Sequence, residues 1–187
     1  MIIINTNRFN LRTLYEKDSS DIYSFTKDSE ISKYLNWESH VNINDTIDYL
    51  ARILLLSKKF PISNLGIEIS TIEYKKIIGT VGLLPKHITS PYTYELGFVL
   101  NKEWWGKGIA LDAVQCLINY AFENYEIQRI EAFCVTENLK SWTLLEKIGM
   151  LREGIRRNFF YKNKIFYDIY MYSILKNEWK KSPFSTD

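Results

Sequence analysis

The stretch Tyr94-Glu95-Leu96-Gly97-Phe98-Val99-Leu100-Asn101-Lys102-Glu103-Trp104-Trp105-Gly106-Lys107-Gly108-Ile109-Ala110 has the residue types and spacing that most directly suggest chemistry. A strand-like apolar run ends at Leu100, a short polar turn follows, and Gly106-Lys107-Gly108 opens onto an amphipathic helix. Glycine removes the Cβ that would hold a ligand off the backbone. A helix start adds unpaired N–H groups and about half a positive charge, so the junction suits a phosphate or pyrophosphate. The same two glycines would equally serve a tight turn that binds nothing. The common nucleotide loops do not match, because no Gly-x-Gly-x-x-Gly occurs and no Ser or Thr follows Gly106-Lys107. Lys107 either reaches an anion or is a solvated lysine at a helix start.

The remaining reactive side chains form no constellation. Cys116 and Cys134 lie in apolar segments and read as buried free thiols. His40 and His87 stand apart in polar surroundings, without the spacing zinc needs, so no metal is expected. Lys and Arg number 24 against 22 Asp and Glu, and no third of the chain is strongly charged, which argues against nucleic acid as partner. The opening Met1-Ile2-Ile3-Ile4-Asn5 is too short and lacks the basic leader of a signal peptide, and the run Ile53 to Leu56 is too short to span a bilayer. A cytoplasmic protein without a membrane partner is expected. One excess stands out, the 15% aromatic content, which is more than a core of this size needs.

The elements that must position the glycine junction follow from periodicity. At 187 residues, with 46% apolar and 25% charged, the chain suits one globular domain. Phe9 to Thr13 alternate as a first strand. Helices are expected over about 20–27, extending toward Tyr34, and about 44–58 with Asn44 or Asp45 as cap. Strands over 65–72, 77–84 and 92–100 follow, with a loop from Pro85 to Pro91. Ala110, Leu111, Val114, Leu117, Ile118, Ala121 and Phe122 mark a helix over 108–125. A strand over 129–135, a helix over 139–148 closed by Gly149, and strands over 151–161 and 164–175 complete the order, with 176–187 as a frayed tail. The result is one α+β domain over 8–175 with seven strands and about four helices.

Several pieces, in this order, resemble one family. Trp105-Gly106-Lys107-Gly108-Ile109-Ala110 looks like the Arg/Gln-x-x-Gly-x-Gly/Ala acetyl-CoA signature of the GNAT N-acetyltransferases. Glu95 to Leu100, Trp104 to Gly108, Asn138-Leu139-Lys140-Ser141, Leu145 to Met150 and Glu153-Gly154 are similar to the branch that acetylates N-terminal residues of ribosomal proteins. The opening Arg8 to Arg12 and the closing Asp168 to Tyr172 also resemble that branch. The resemblance implies the GNAT fold, a central mixed, mostly antiparallel seven-stranded sheet flanked by about four helices, and acetyl-CoA as cosubstrate. It also implies a primary-amine acceptor (a protein N-terminus, a polyamine or an aminoglycoside) and a homodimer.

Site roles carry over residue by residue. The amides of Gly106, Lys107, Gly108, Ile109 and Ala110 would hold the pyrophosphate, while Phe98, Val99 and Leu100 pair with pantetheine beside a bulge for which Gly97 is suited. Trp105 replaces the usual Arg or Gln. Glu95 is the candidate base, with Glu103 second; each would otherwise be a surface carboxylate. Many relatives place a tyrosine acid where Leu145 stands, and leucine cannot act so. Ser141 instead resembles the hydroxyl held near the CoA sulfur, and Asn138 either contacts pantetheine or caps its helix. Asp168 and the aromatics Phe159, Phe160, Tyr161, Phe166 and Tyr167, together with Tyr34 to Trp37, would wall the acceptor groove. Arg156 and Arg157 are surface charges or attractors of an acidic acceptor. A non-catalytic acyl-CoA-binding module on the same fold is the competing reading.

Overall fold

The helix with the clearest period is also the most buried helix. In the structure, a computed structural model that describes residues 2–87 and 90–180, helix α4 spans Ile109–Asn124, and Ala113, Val114, Leu117, Ile118 and Ala121 are all fully buried. Val114, Leu117 and Ile118 each contribute about 1.5–3 kcal/mol on leaving water. The surface that covers α4 is a single eight-stranded sheet. Its strands are β1 (Ile2–Asn5), β2 (Asn10–Thr13), β3 (Leu65–Ser70), β4 (Lys75–His87), β5 (Ser90–Leu100), β6 (Arg129–Val135), β7 (Leu151–Lys162) and β8 (Ile165–Leu175), ordered β1-β2-β3-β4-β5-β6-β8-β7. Every neighbouring pair is antiparallel except β5–β6, which α4 connects as a crossover. On the face that carries α4 and α5 (Leu139–Ile148), the core contains Leu96, Leu100, Ile130, Ala132, Cys134 and Tyr172. The other face is covered by α1 (Ser19–Thr26), the short α2 (Ser29–Ser32) and α3 (Ile43–Lys59), around Ile22, Phe25, Leu50, Ile53 and Ile77.

Four differences from the expected elements have physical causes. Ile2–Asn5 adds an eighth strand by pairing with β2 at the sheet edge, a tertiary partnership that a four-residue run does not announce. The expected 85–91 loop is a hairpin instead: β4 continues to His87 and β5 begins at Ser90. Pro85 is tolerated because β3 leaves β4 at Val81, so no strand on that side needs the missing N–H. Helix α3 is capped by Asn42, whose Oδ1 accepts from the Asn44 N–H at 2.8 Å while Asp45 closes the reciprocal half of the box. The start of the expected frayed tail is docked, with the Trp179 indole donating to Asn119 Oδ1 at 2.6 Å. Residues 181–187, residues 88–89 and the His87 side chain lie outside the described residues. Among the described residues, no helix is long and apolar enough to cross a membrane.

His40 also departs from expectation. It is buried, 5.5 Å from the Trp37 ring and 5.4 Å from the Tyr49 ring, with Nδ1 at 2.7 Å from Thr46 Oγ1. Burial lowers its pKa below the ordinary 6.5, so folding favours the neutral ring. The unfolded chain then takes up the proton first, and stability is complete above pH 6.5 and falls as the pH drops below it. Glu153, held at about 2 chiefly by its bond to Arg129, acts in a separate window, with stability lost only as pH falls below 4.5. Denaturant titrations between about pH 7.5 and 5.5 should show the His40 slope, and His40→Phe should remove most of it. An unchanged slope would assign the effect to other groups.

Candidate active site

The sheet opens next to the glycine junction. β5 pairs with β4 through Leu100, whereas its pairing with β6 stops after Thr93, Tyr94 and Glu95, opposite Arg129, Ile130 and Glu131. β6 itself stays paired with β8 from Arg129 to Val135. Beyond Glu95 the two parallel strands therefore diverge, and the β6-facing edge of Leu96–Leu100 has no strand partner. The expected bulge at Gly97 is absent: the β4–β5 register passes through Gly82↔Gly97 without a shift, and the opening arises entirely on the β6 side. Gly97 is exposed, and a Cβ built there meets nothing within 4 Å, so this glycine leaves open the face beside the gap.

At the end of β5 the chain turns into α4 through Gly106 (φ +75°) and Gly108 (φ +76°), both in the left-handed region. Gly108 precedes the helix, and its carbonyl accepts from the Asp112 N–H at 3.0 Å. Arg8 organises this turn. One guanidinium nitrogen donates to the Lys107 carbonyl at 2.5 Å and another to the buried Asp112 carboxylate. In a trans peptide the C=O and the following N–H point oppositely, so holding the Lys107 carbonyl toward Arg8 directs the Gly108 N–H the other way. The same guanidinium neutralises a carboxylate in the first helical turn that would otherwise repel an anion. Sequence reasoning gave Arg8 no role, since its partners lie about a hundred positions away.

Around this turn, Ile109 is buried and Ala110 is half-buried. The Lys107 ammonium lies 4.6 Å from the centroid of the Trp104 ring. The Trp105 indole N–H is committed to the Leu100 carbonyl at 2.8 Å, and the Lys140 ammonium sits 3.8 Å from its ring centroid.

The two residues expected to do chemistry flank the gap from opposite faces of the sheet. Glu95 lies on the face away from α4 and accepts from the Lys86 ammonium, which stands 3.6 Å from the centroid of the Phe133 ring. On the α4 side, Ser141 lies in the first turn of α5, beside the thiol of Cys134 on β6. Burial pushes that thiol up to about 12, with Ser141 acting in the opposite direction. Asn138 caps α5, its Oδ1 accepting from the Ser141 N–H at 3.3 Å. Leu145 is buried in the core, 1% exposed. Glu103 is exposed in the turn before the glycines, its N–H donating to Asn101 Oδ1 at 3.1 Å.

The chain that builds this opened strand pair and glycine-led helix start is similar to known proteins. Residues 8–151 match the family model described as the acetyltransferase (GNAT) domain. The chain belongs to the GNAT acetyltransferase family. The uncharacterized N-acetyltransferase YnaD of Bacillus subtilis (strain 168) is 31% identical over 186 residues, covering 94% of this chain and 98% of that protein. YdaF of the same strain, named provisionally as a ribosomal N-acetyltransferase, is 42% identical over 86 residues, 46% of this chain and 47% of its own. The crystal structure of a GNAT-family acetyltransferase from Bacillus anthracis superposes with a TM-score of 0.82 at 29% identity, covering 95% of this chain and all of the other.

In this GNAT chain the face beyond Glu95 is built by β7, β8 and the segment after α2. Lys162, at the end of β7, is buried and donates to the carbonyls of Ser32 at 2.7 Å, Leu35 at 2.9 Å and Trp37 at 2.7 Å. That clasp ties the 32–37 segment to the hairpin, and the Tyr34 and Tyr167 rings meet edge-on at 6.1 Å. Asp168 accepts from the Asn158 N–H at 2.8 Å and so braces the irregular stretch of β7. Of the expected aromatic wall, Phe159, Tyr161 and Phe166 are exposed, while Phe160 and Tyr167 are half-buried.

Proposed function

We propose that the chain transfers an acetyl group from acetyl-CoA directly to a primary amine, and that the amine is a protein N-terminal α-amine such as that of a ribosomal protein. The observation that carries this reading is the gap between β5 and β6 that ends at the Gly106–Ala110 amides. An extended, amide-bearing pantetheine pairs along Phe98, Val99 and Leu100 as an added strand would, and its diphosphate rests on the backbone of Gly106, Lys107, Gly108, Ile109 and Ala110. Glu95 takes the proton from the ammonium form of the acceptor, directly or through water, and the freed amine attacks the thioester carbonyl. As the C–S bond breaks, the Ser141 hydroxyl donates to the departing thiolate. Glu103, remote in the exposed turn, is the weaker candidate for the base.

Two observations favour a protein terminus over a polyamine or an aminoglycoside. The similarity to YdaF covers nearly half the chain. The face beside Glu95 also carries Arg156 over Phe133, a cation with no ion pair among the described residues that repels a polycationic acceptor. A ribosomal acceptor places the reaction in the cytoplasm. A screen of N-terminal peptides, spermidine and an aminoglycoside with labelled acetyl-CoA tests this function. Turnover confined to the small amines would replace the acceptor assignment, and CoA binding with no turnover on any amine would leave only a binding module. Glu95→Gln should reduce the rate most at low pH, where the amine is protonated and needs a base; an unaltered pH profile would remove Glu95 from the mechanism.

A further inference from the structure

Arg156 lies on β7 opposite Ile169, on the same sheet face as Glu95 and Phe133. Its side chain reaches back over β8. The guanidinium carbon is 5.5 Å from the Phe133 centroid and 5.0 Å from the Phe159 centroid, and Nε donates to the Met171 thioether at 3.0 Å. Thioether sulfur is a weak acceptor. Arg8, Arg12 and Arg129 each hold a carboxylate, but among the described residues Arg156 forms no ion pair. Two aromatic rings thus hold a guanidinium over the strand that borders the gap, with most of its N–H groups uncommitted. A planar donor fork held in this way is suited to a carboxylate. Across the same Phe133 ring stand Lys86 and the Glu95 carboxylate that would receive the amine.

We infer that Arg156 selects acceptors with an acidic side chain at the second or third residue after the reactive α-amine. This rests on the α-amine reading above. With the amine at Glu95, an extended peptide advances about 3.3 Å per residue. Its next side chains pass over Phe133, where Arg156 takes a carboxylate while Lys86 stays paired with Glu95. The reacting amine and the acidic group are bound at separate points, so the arginine affects which peptide is acetylated rather than the acetyl donor.

The test uses peptides identical except for Asp, Asn or Lys at the second or third position, with labelled acetyl-CoA. The wild-type protein should favour Asp over Asn by about tenfold in kcat/KM, and Asn over Lys. Arg156→Gln should flatten the series and Arg156→Glu should reverse it, with the KM for acetyl-CoA and the thermal midpoint unchanged. A structural role for Arg156 cannot produce that reversal. Equal turnover of all peptides by the wild type would overturn the inference and leave the α-amine reading standing. An acidic preference that survives Arg156→Glu would overturn the role of Arg156. Acetylation of spermidine or an aminoglycoside but of no peptide would overturn both readings.

Discussion

Replacing Gly108 by valine is expected to lower CoA affinity by about tenfold to a hundredfold while leaving the fold intact. At φ +76° a β-branched residue is strained, and relief requires turning the Lys107–Gly108 peptide or the first turn of α4. Either motion takes the Gly108 N–H out of alignment and disturbs the Lys107 carbonyl that Arg8 holds. Hydrogen bonds to a charged group contribute about 1.5–3 kcal/mol, which corresponds to that loss of affinity. Calorimetric titration with CoA measures it. A truncated donor, the acetyl thioester of N-acetylcysteamine, lacks the diphosphate and should react equally with the wild type and the variant. Full CoA affinity in Gly108→Val would remove the cradle from these amides.

Lys162→Met should destabilise the protein by about 3 kcal/mol, a Tm drop of roughly 6–12 °C for a domain of this size. The buried ammonium donates to the carbonyls of Ser32, Leu35 and Trp37, and methionine fills the stem volume but takes that donor from all three, leaving Ser32 with only the Leu35 N–H. The loss should be local first: amide exchange in 29–40 should accelerate well before that of α4. Acceptor KM should rise with little change for acetyl-CoA, because the clasp borders the acceptor face and lies away from the glycine turn. Unchanged melting and unchanged exchange would show that the three carbonyls find water at no cost.

The parts of this fold that were legible in the sequence are those set by local rules. Helix α5 was expected over 139–148 and spans Leu139–Ile148, because Asn138 and Gly149 mark its ends chemically. β6 was expected over 129–135 and spans Arg129–Val135 between a helix end and a cap. The glycine junction was visible for the same reason, since left-handed backbone at Gly106 and Gly108 calls for glycine wherever it occurs. What stayed hidden depends on residues far apart in sequence. Nothing local marks Lys162, because its acceptors are 125 to 130 positions away. Arg8 stood just before a strand, and its contact with Asp112 exists because β1 lies against α4. Pro85 looked like a loop marker because nothing local says where β3 stops pairing. The opening beyond Glu95 was expected, but from a bulge at Gly97; no residue type encodes where two parallel strands stop pairing.

That divergence makes the sheet a partition with an entrance on each side. The Ser141 side and the Glu95 side reach the same slot from opposite directions, so the donor and the acceptor need not share a mouth. Neither product has to leave before the other can. With direct transfer as proposed, initial-rate patterns should intersect, with both substrates present together; parallel patterns would show instead that the acyl group is carried between two half-reactions.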